Sequence, residues 1–331
     1  MSPTKLIRRR ARAASATLAV LTIAAAAGAC SSPTSADDGK DKQLVIGLAE
    51  ALTSVPFLAT LDGAFKDQAE KLGMKVDIRD GEYKNEKMIE NINQFINQKV
   101  DLIVVVPTDP KALNPVIKKA NEAGIPVFTV NAKVDAGPKI DLHVGASEED
   151  FGTGLGKLLV EAAPTGGKYA LLTGPAGSVP QVGRSKGMDN VLAPLGSKYE
   201  NVATRPIDGW AKDKALAEIQ DLLTKYPKGS LAAVVCQGPM CVTGAKYAKD
   251  NGRADVKFIL GDYPTEVRDA ITAGTVFGTV NQSPKEQGSK AAEFAHEWLA
   301  GDKSKVPCPE FKTGLPLITK SNAAATPAEF S

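Results

Sequence analysis

Residues 100–133 read VDLIVVVPTDPKALNPVIKKANEAGIPVFTVNAK and predict one complete unit of strand, helix and strand. Residues 101–106 read DLIVVV, and after Asp101 they form a run of branched apolar side chains without polar alternation, which is typical of a parallel strand covered by helices on both faces. Pro107 ends this run, and residues 125–130 form the next strand. The rest of the chain repeats this unit, so the stretch indicates the fold class.

The helix between these strands has start and stop signals. Thr108 and Asp109 offer capping oxygens, and Pro110 suits the first helical position because no amide hydrogen is needed there. Gly124 is placed to end the helix. The apolar residues at helical spacing are Leu113, Val116, Ile117 and Ala120.

Polar residues follow both strands. Two parallel strands joined by a right-handed crossover finish at the same edge of their sheet. Thr108, Asp109 and Asn131 therefore share one edge. Because ligands of open α/β sheets bind outside this carboxyl edge, we expect the functional site there.

Strand and helix patterns alternate in two series along the chain. The first series covers residues 44–144, and the second runs from a helix at 147–163 to a strand at 276–280. A helix at 284–299 and a segment at 311–318 must return to one or both series. We predict an α/β fold with two Rossmann-like lobes and parallel sheets, whose carboxyl edges face each other across a cleft.

The first 29 residues predict an export signal, with five basic residues ahead of a small, apolar run at 13–29. The run ends in Ala27-Gly28-Ala29-Cys30, which resembles a bacterial lipobox with Ala27 in place of the usual Leu. Cys30 is then the lipid attachment site, with an ordinary cleaved signal and a free cysteine as the alternative. Residues 30–43 are polar and predict a flexible tether.

Charge and composition exclude several function classes. Removal of residues 1–29 changes the net charge from +2 to −3, and no basic cluster remains to favour nucleic-acid binding. His143 and His296 are the only histidines and have no ligand-like partners, so no metal site is expected. The sequence contains neither a pattern that pairs a nucleophile with a base nor a cofactor motif. We therefore predict that the protein is not an enzyme and has no catalytic residues.

Two further motifs have structural interpretations. Residues 152–157 read GTGLGK but lie inside a predicted helix, which indicates close helix packing rather than a phosphate loop. Cys236 ends a predicted strand and Cys241 begins the next helix, so a disulfide between them is the preferred pairing outside the cytoplasm. Cys308 is then left over, and buried reduced thiols are the alternative.

Segments spread over residues 44–318 resemble the periplasmic sugar-binding proteins of the ribose-binding type. No single segment is decisive, but their order and spacing are specific. In chain order they are Pro56-Phe57, Asp62-Gly63-Ala64, Val100-Asp101-Leu102-Ile103, Pro107-Thr108-Asp109, Gly124-Ile125-Pro126-Val127, Gly261-Asp262 and Asn281-Gln282-Ser283-Pro284.

The resemblance implies two Rossmann-like lobes joined by a three-strand hinge, the type I periplasmic binding protein fold. The N-terminal lobe would be residues 44–146 plus 282–311. The C-terminal lobe would be residues 147–281 plus 312–331.

The resemblance also implies a set of ligand-binding residues. Aromatic side chains stack on sugar rings, while planar carboxylate, amide and guanidinium groups bond adjacent hydroxyls. Asn131 stands where the family usually has Asp, and Arg184 lies where it has an arginine-bearing loop. The full set is Phe57, Asn131, Arg184, Trp210, Gln237, Asp262 and Gln282.

Each of these side chains has a structural alternative. Asp262 could cap the following helix, and Gln282 could hydrogen-bond within the hinge. Trp210 could cover the edge of the core, and polar residues at strand ends often satisfy turns. Three positions depart from many sugar binders, since Val55, Val106 and Ala132 replace Asn, Asn and Arg, which implies a smaller, less hydroxylated or differently oriented ligand.

The implied function is that of a monomeric lipoprotein on the outer face of the bacterial cell membrane. It would capture a monosaccharide or sugar alcohol and deliver it to the permease and ATPase subunits of an ABC importer. The alternative is a sensory receptor that presents a small signalling molecule to a membrane kinase or permease. A sugar-responsive transcription factor would need a DNA-binding helix pair where the export signal lies.

Overall fold

The computed structural model describes residues 43–331. The predicted export signal, the Cys30 attachment site and the predicted tether up to residue 42 lie outside the described residues. Within residues 43–331, no helix has the length and apolar character needed to cross a bilayer.

Strands and helices alternate through most of the described chain. The strands are β1 (Val45–Glu50), β2 (Lys75–Asp80), β3 (Leu102–Val105), β4 (Val127–Val130), β5 (Leu142–Gly145), β6 (Gly167–Thr173), β7 (Tyr199–Pro206), β8 (Ala233–Cys236), β9 (Lys257–Gly261), β10 (Gly278–Val280), β11 (Glu310–Lys312) and β12 (Leu317–Thr319). The helices are α1 (Pro56–Lys71), α2 (Asn85–Gln98), α3 (Asn114–Glu122), α4 (Glu148–Ala162), α5 (Val179–Leu192), α6 (Lys212–Lys225), α7 (Val242–Asp250), α8 (Thr265–Thr272) and α9 (Pro284–Leu299).

The strands form two six-stranded sheets, as the α/β prediction with two lobes requires. The N-terminal lobe has the order β11-β5-β4-β3-β1-β2, and all its pairs are parallel. The C-terminal lobe has the order β12-β10-β9-β8-β6-β7, in which only β12 is antiparallel to its neighbour.

Each sheet has a hydrophobic core on both faces, which explains the continuously apolar strands. In β3, Leu102 packs into one cluster with Phe65, while its neighbour Ile103 packs into another with Phe95. In β8, alternate residues likewise enter the two cores of the C-terminal lobe. A strand buried on both faces has no polar face to present to water.

The chain crosses between the lobes three times within the described residues: between β5 and α4, between β10 and α9, and between β11 and β12. The segment at 311–318 therefore returns to both lobes, one strand to each sheet. Helix α9 packs on α1 of the N-terminal lobe, and α4 packs on α5 of the C-terminal lobe. The exact lobe boundaries stay a prediction.

Two local expectations were wrong. Helix α3 begins at Asn114 rather than at Pro110, and Pro115 occupies its first turn. The carboxylate of Asp109 instead accepts hydrogen bonds from the amides of Lys111 at 2.7 Å and Ala112 at 2.8 Å, so it stabilises a turn ahead of the helix.

The second correction concerns Arg184, which lies within α5 and not in a loop. The glycine-rich segment at 152–157 lies inside α4, as predicted, and packs against this helix. A Cβ atom on Gly152 would overlap the carbonyl oxygen of Arg184, so the glycine permits the close approach of the two helices.

Candidate ligand-binding site

A cleft of about 510 Å³ lies between the carboxyl edges of the two sheets. Its wall includes most of the residues singled out from the sequence. Those that line it are Phe57, Asn131, Arg184, Trp210, Asp262 and Gln282, whereas Gln237 does not. The sheet edge predicted from residues 100–133 is thus where the cleft lies, and ligand contact by these side chains stays a prediction.

Phe57 lies in the first turn of α1 and is 7% exposed. Its ring meets that of Phe330, with a centroid separation of 5.7 Å and an interplanar angle of 90°. This edge-to-face pair is a favourable aromatic geometry. Phe330 also lines the cleft and was missed from the sequence.

Asp262 follows β9 with a φ of 60° and is 7% exposed. It does not cap α8, whose N-cap residue is Pro264, so this structural alternative does not apply. Burial raises the pKa of Asp262 to about 6, while the charge of Arg184 and a hydrogen bond from Gln282 oppose the rise. The Gln282 amide nitrogen donates to Oδ1 of Asp262 at 2.9 Å.

A chain of amide hydrogen bonds connects Asp262 to the N-terminal lobe. Gln287 donates from Nε2 to Oε1 of Gln282 at 3.3 Å, and Asn131 donates from Nδ2 to Oε1 of Gln287 at 3.2 Å. Asn131 follows β4 with a φ of 66°. Gln287 is fully buried in the first turn of α9, close after Pro284. It was not identified from the sequence.

Arg184 is 3% exposed and is held by several contacts of the C-terminal lobe. Its Nε donates to Oε2 of Glu148 at 2.6 Å, and Nη1 donates to the carbonyl oxygen of Gln237 at 2.5 Å. The guanidinium carbon lies 3.8 Å from the ring centroid of Phe151 and 5.7 Å from that of Trp210. The guanidinium is therefore held in place within the cleft wall by contacts of its own lobe.

Gln237 is fully buried, and its side chain is occupied within the C-terminal lobe. Its Oε1 accepts from the amide of Gly174 at 3.3 Å, and its Nε2 donates to Oγ of Ser185 at 2.9 Å. It contributes to the site through its carbonyl oxygen, which holds Arg184. This arrangement matches the alternative in which a polar residue at a strand end satisfies local structure.

Trp210 adopts a φ of 55° at the end of the short 3-10 helix Asp208–Trp210. Its ring packs against two glycines, Gly174 and Gly238. A Cβ atom at either position would overlap the ring, so only glycine permits this contact. The hydroxyl of Tyr83, from the N-terminal lobe, lies beside Trp210. Tyr83 has a φ of 56° and lines the cleft, and no sequence pattern indicated its role.

A disulfide joins Cys236 and Cys241, five positions apart, which is the pairing preferred from the sequence. Both cysteines are fully buried. Cys308 is free and exposed. The disulfide closes a short loop between β8 and α7.

This disulfide loop supports the C-terminal wall of the cleft. The carbonyl oxygen of Gln237 holds Arg184, and the backbone of Gly238 lies against the ring of Trp210. Met240 lines the cleft directly. The loop thus positions one charged and one aromatic residue of the predicted site.

We expect the double substitution Cys236→Ala/Cys241→Ala to lower the free energy of unfolding by about 2 kcal/mol, the loop-closure entropy of so short a ring. It should also weaken ligand binding, because Arg184 and Trp210 lose the loop that supports them. Urea unfolding and calorimetric titration measure the two effects. Cys308→Ala is the control and should change neither, and a double variant indistinguishable from this control would contradict the assigned role.

The departures from the sugar-binding pattern lie in the cleft wall. Val55, Val106 and Ala132 line it and give its N-terminal side an apolar character. The charged groups Arg184 and Asp262 lie on the C-terminal side. The N-terminal side also carries polar groups, among them Asn131 and Tyr83, so the cleft wall combines apolar surface with hydrogen-bonding groups of both lobes.

Glu50, which ends β1, does not line the cleft. It is fully buried and faces Asp62 of α1, which is 6% exposed. Its Oε1 accepts from the amide of Ala51 at 2.6 Å, while Oε2 of Glu50 and Oδ1 of Asp62 have no other protein partner. Burial and then the charge of Asp62 raise the pKa of Glu50 well above its ordinary value.

No group of three or more histidine, cysteine, aspartate or glutamate side chains suited to a metal ion occurs within residues 43–331. His143 lies in β5, with Nδ1 3.0 Å from Oγ1 of Thr129. Burial lowers its pKa to about 3, so the ring is neutral in the core. It is separate from the residues that line the cleft.

Comparisons with known proteins agree with this geometry. The family model for the periplasmic binding protein domain matches residues 46–303. The ribose import binding protein RbsB of Salmonella typhimurium is 28% identical over 83% of this chain and 90% of its own length. The xylitol-binding protein of Mycolicibacterium smegmatis is 29% identical over 70% of this chain and 64% of its own length.

Among solved structures, the Caulobacter myo-inositol binding protein bound to myo-inositol superposes with a TM-score of 0.79 and 26% identity. The superposition covers 86% of this chain and 95% of that structure. The family match runs from β1 to just beyond α9, so it includes β1 to β10 and leaves β11 and β12 outside the matched range.

Proposed function

Because this chain belongs to the periplasmic binding protein family, we propose that it is the extracytoplasmic solute-binding component of an ABC sugar importer. It is a binding protein rather than an enzyme. The observation that carries the proposal is the cleft between the two sheet edges, in which Arg184 and Asp262 face aromatic and aliphatic side chains. Relatives named for binding ribose, xylitol and myo-inositol support the same class of ligand.

We infer that the ligand is a monosaccharide or sugar alcohol with an apolar face. The cleft volume of about 510 Å³ falls within the range of small-molecule sites. Arg184 and Asp262 offer donors and acceptors to neighbouring hydroxyls, and Phe57 and Trp210 offer ring faces to C–H groups. Apolar residues at positions such as Val106 and Ala132 favour a ligand with few hydroxyls on that side.

Capture would follow from closure of the two lobes. The ligand bridges residues of both lobes, so it favours the closed form by the difference in its affinity for the two states. The three crossings between the sheets would act as the hinge. The closed form would then be the one delivered to the permease and ATPase subunits.

Membrane attachment is a separate part of the proposal. We infer that residues 1–29 are removed, that Cys30 carries the lipid, and that residues 30–43 tether a monomeric receptor to the outer face of the cell membrane. Mass spectrometry of the N-terminal peptide tests this, and Cys30→Ala should release the protein from the membrane fraction. An unmodified Cys30 in membrane-bound protein would contradict it.

The ligand class is tested by a thermal-shift panel of ribose, xylose, xylitol, myo-inositol and glycerol on purified protein. A true ligand at about 100 times its Kd stabilises the fold by about 2.7 kcal/mol. We expect at least one compound to raise Tm, and Asp262→Ala to reduce the shift. If no sugar or polyol raises Tm while another solute class does, the assignment is wrong.

A further inference from the structure

We propose that Glu329 and Phe330 form a strap across the cleft, and that the ring of Phe330 slows ligand release. This inference rests on the proposed function. The two residues belong to the segment after β12, which no sequence motif connected with the site.

Glu329 attaches the strap to a crossing between the lobes. Its Oε2 accepts from Oγ of Ser283 at 2.8 Å, and its Oε1 accepts from Nδ2 of Asn281 at 3.3 Å. Its amide donates to the carbonyl oxygen of Tyr263 at 3.0 Å. Asn281 and Ser283 lie between β10 and α9, where the chain passes from one sheet to the other.

The backbone of Phe330 is bound to the C-terminal lobe. Its carbonyl oxygen accepts from the amide of Thr265 at 2.8 Å and from Oγ1 of the same residue at 3.3 Å. Thr265 is the first residue of α8, so the strap uses an unsatisfied amide at a helix start. Two successive residues thus make directed polar contacts on one side of the cleft.

The side chain of Phe330 reaches the other lobe. Its ring contacts Phe57 at a centroid separation of 5.7 Å and lines the cleft. Rotation of one lobe away from the other would separate these rings, while the polar contacts of the strap to the C-terminal lobe would persist. The aromatic pair is therefore an inter-lobe contact that favours the closed form and covers one side of the ligand.

The test compares Phe330→Ala with a matched aromatic truncation, Phe311→Ala. Phe311 is half-buried like Phe330, and its ring pairs with Phe294 at a centroid separation of 5.2 Å. Phe311 does not line the cleft. Loss of a ring should cost both variants stability, but only Phe330→Ala should change binding kinetics.

Stopped-flow binding is measured with xylitol, ribose and myo-inositol as probes, using whichever binds the wild-type protein. For Phe330→Ala we expect the dissociation rate to rise about fivefold to tenfold, the scale of one aromatic pair, with the association rate within about twofold. Glu329→Ala, which loosens the strap without touching the cleft wall, should change the dissociation rate in the same direction. A dissociation rate equal to that of Phe311→Ala would overturn the proposal.

A second measurement does not depend on any probe. Hydrogen exchange of the segment at 52–58, which contains Phe57, should be faster in ligand-free Phe330→Ala than in wild-type protein or Phe311→Ala. If no probe binds the wild-type protein but exchange is faster, the strap contact stands and the thermal-shift panel decides the ligand class. If exchange in this segment is unchanged, the strap contact is overturned whatever the ligand.

Discussion

Arg184→Ala is expected to lower the free energy of unfolding by about 3 kcal/mol and to abolish ligand binding. The loss of stability arises because the side chains of Arg184 and Glu148 are only 4% and 11% exposed and form a salt bridge at 2.6 Å. Removing the guanidinium leaves Glu148 as a buried charge without its partner. Urea unfolding and calorimetric titration measure the two losses separately.

A second substitution distinguishes stability from binding. In Arg184→Ala/Glu148→Gln the unpaired charge is absent, so part of the stability should return while binding stays lost. The sequence alone does not predict this loss of stability, because no local pattern identifies Glu148 as the partner of Arg184. An unfolding free energy of Arg184→Ala equal to wild type would refute the role of the buried pair, and intact binding would refute the placement of the ligand.

Asp62→Asn is expected to stabilise the protein by about 2 kcal/mol at about pH 8 and to have a much smaller effect at about pH 4. Burial raises the pKa of Asp62 to about 6, and the neighbouring charge of Asp80 also raises it. Burial and then the charge of Asp62 raise the pKa of Glu50. Whenever at least one of the two carboxyl groups is protonated, it can donate a hydrogen bond to the other.

The sign follows from the direction of these shifts. A carboxyl group whose pKa is raised on folding binds protons more tightly in the folded state. Its contribution to stability is complete below the unfolded-state pKa of about 4 and is lost as the pH rises through about 6. An asparagine at position 62 removes this loss, because its amide can donate to Glu50 at any pH.

Unfolding free energies of wild-type protein and Asp62→Asn across this pH range check the prediction. Asp67→Asn is the matched control, since Asp67 is an exposed acid on the same helix and should show a flat difference from wild type. The buried His143 and Asp262 also titrate, but both are common to all three proteins. A difference between Asp62→Asn and wild type that does not grow with pH would contradict the shared-proton account.

The alternation of strands and helices was predictable because each element carries its own periodicity. Helix α9 was predicted with its observed bounds, and Ser147 caps α4 by accepting from the amide of Asp150 at 3.1 Å. The start of α3 was misplaced because Pro110 and Pro115 are both acceptable in a first turn. Local sequence does not show that the carboxylate of Asp109 accepts hydrogen bonds within a turn ahead of the helix.

The cleft residues were predictable where they follow a strand directly, as Asn131 and Asp262 do. Parallel topology brings all such positions to one edge. Contacts between distant segments were not predictable in the same way. Glu148 on Arg184, Asp62 on Glu50 and Phe330 on Phe57 depend on packing across 36, 12 and 273 positions, for which a single sequence has no periodic signal.

The amide chain from Asn131 through Gln287 and Gln282 to Asp262 has a direction. An ionised carboxylate can only accept, so Asp262 turns the amino group of Gln282 toward itself, and each following amide must then present its oxygen to the next donor. The last amide, Asn131, is left with its carbonyl oxygen free for a hydroxyl donor. The negative charge of Asp262 in the C-terminal lobe thus determines that Asn131 in the N-terminal lobe presents a hydrogen-bond acceptor to the cleft.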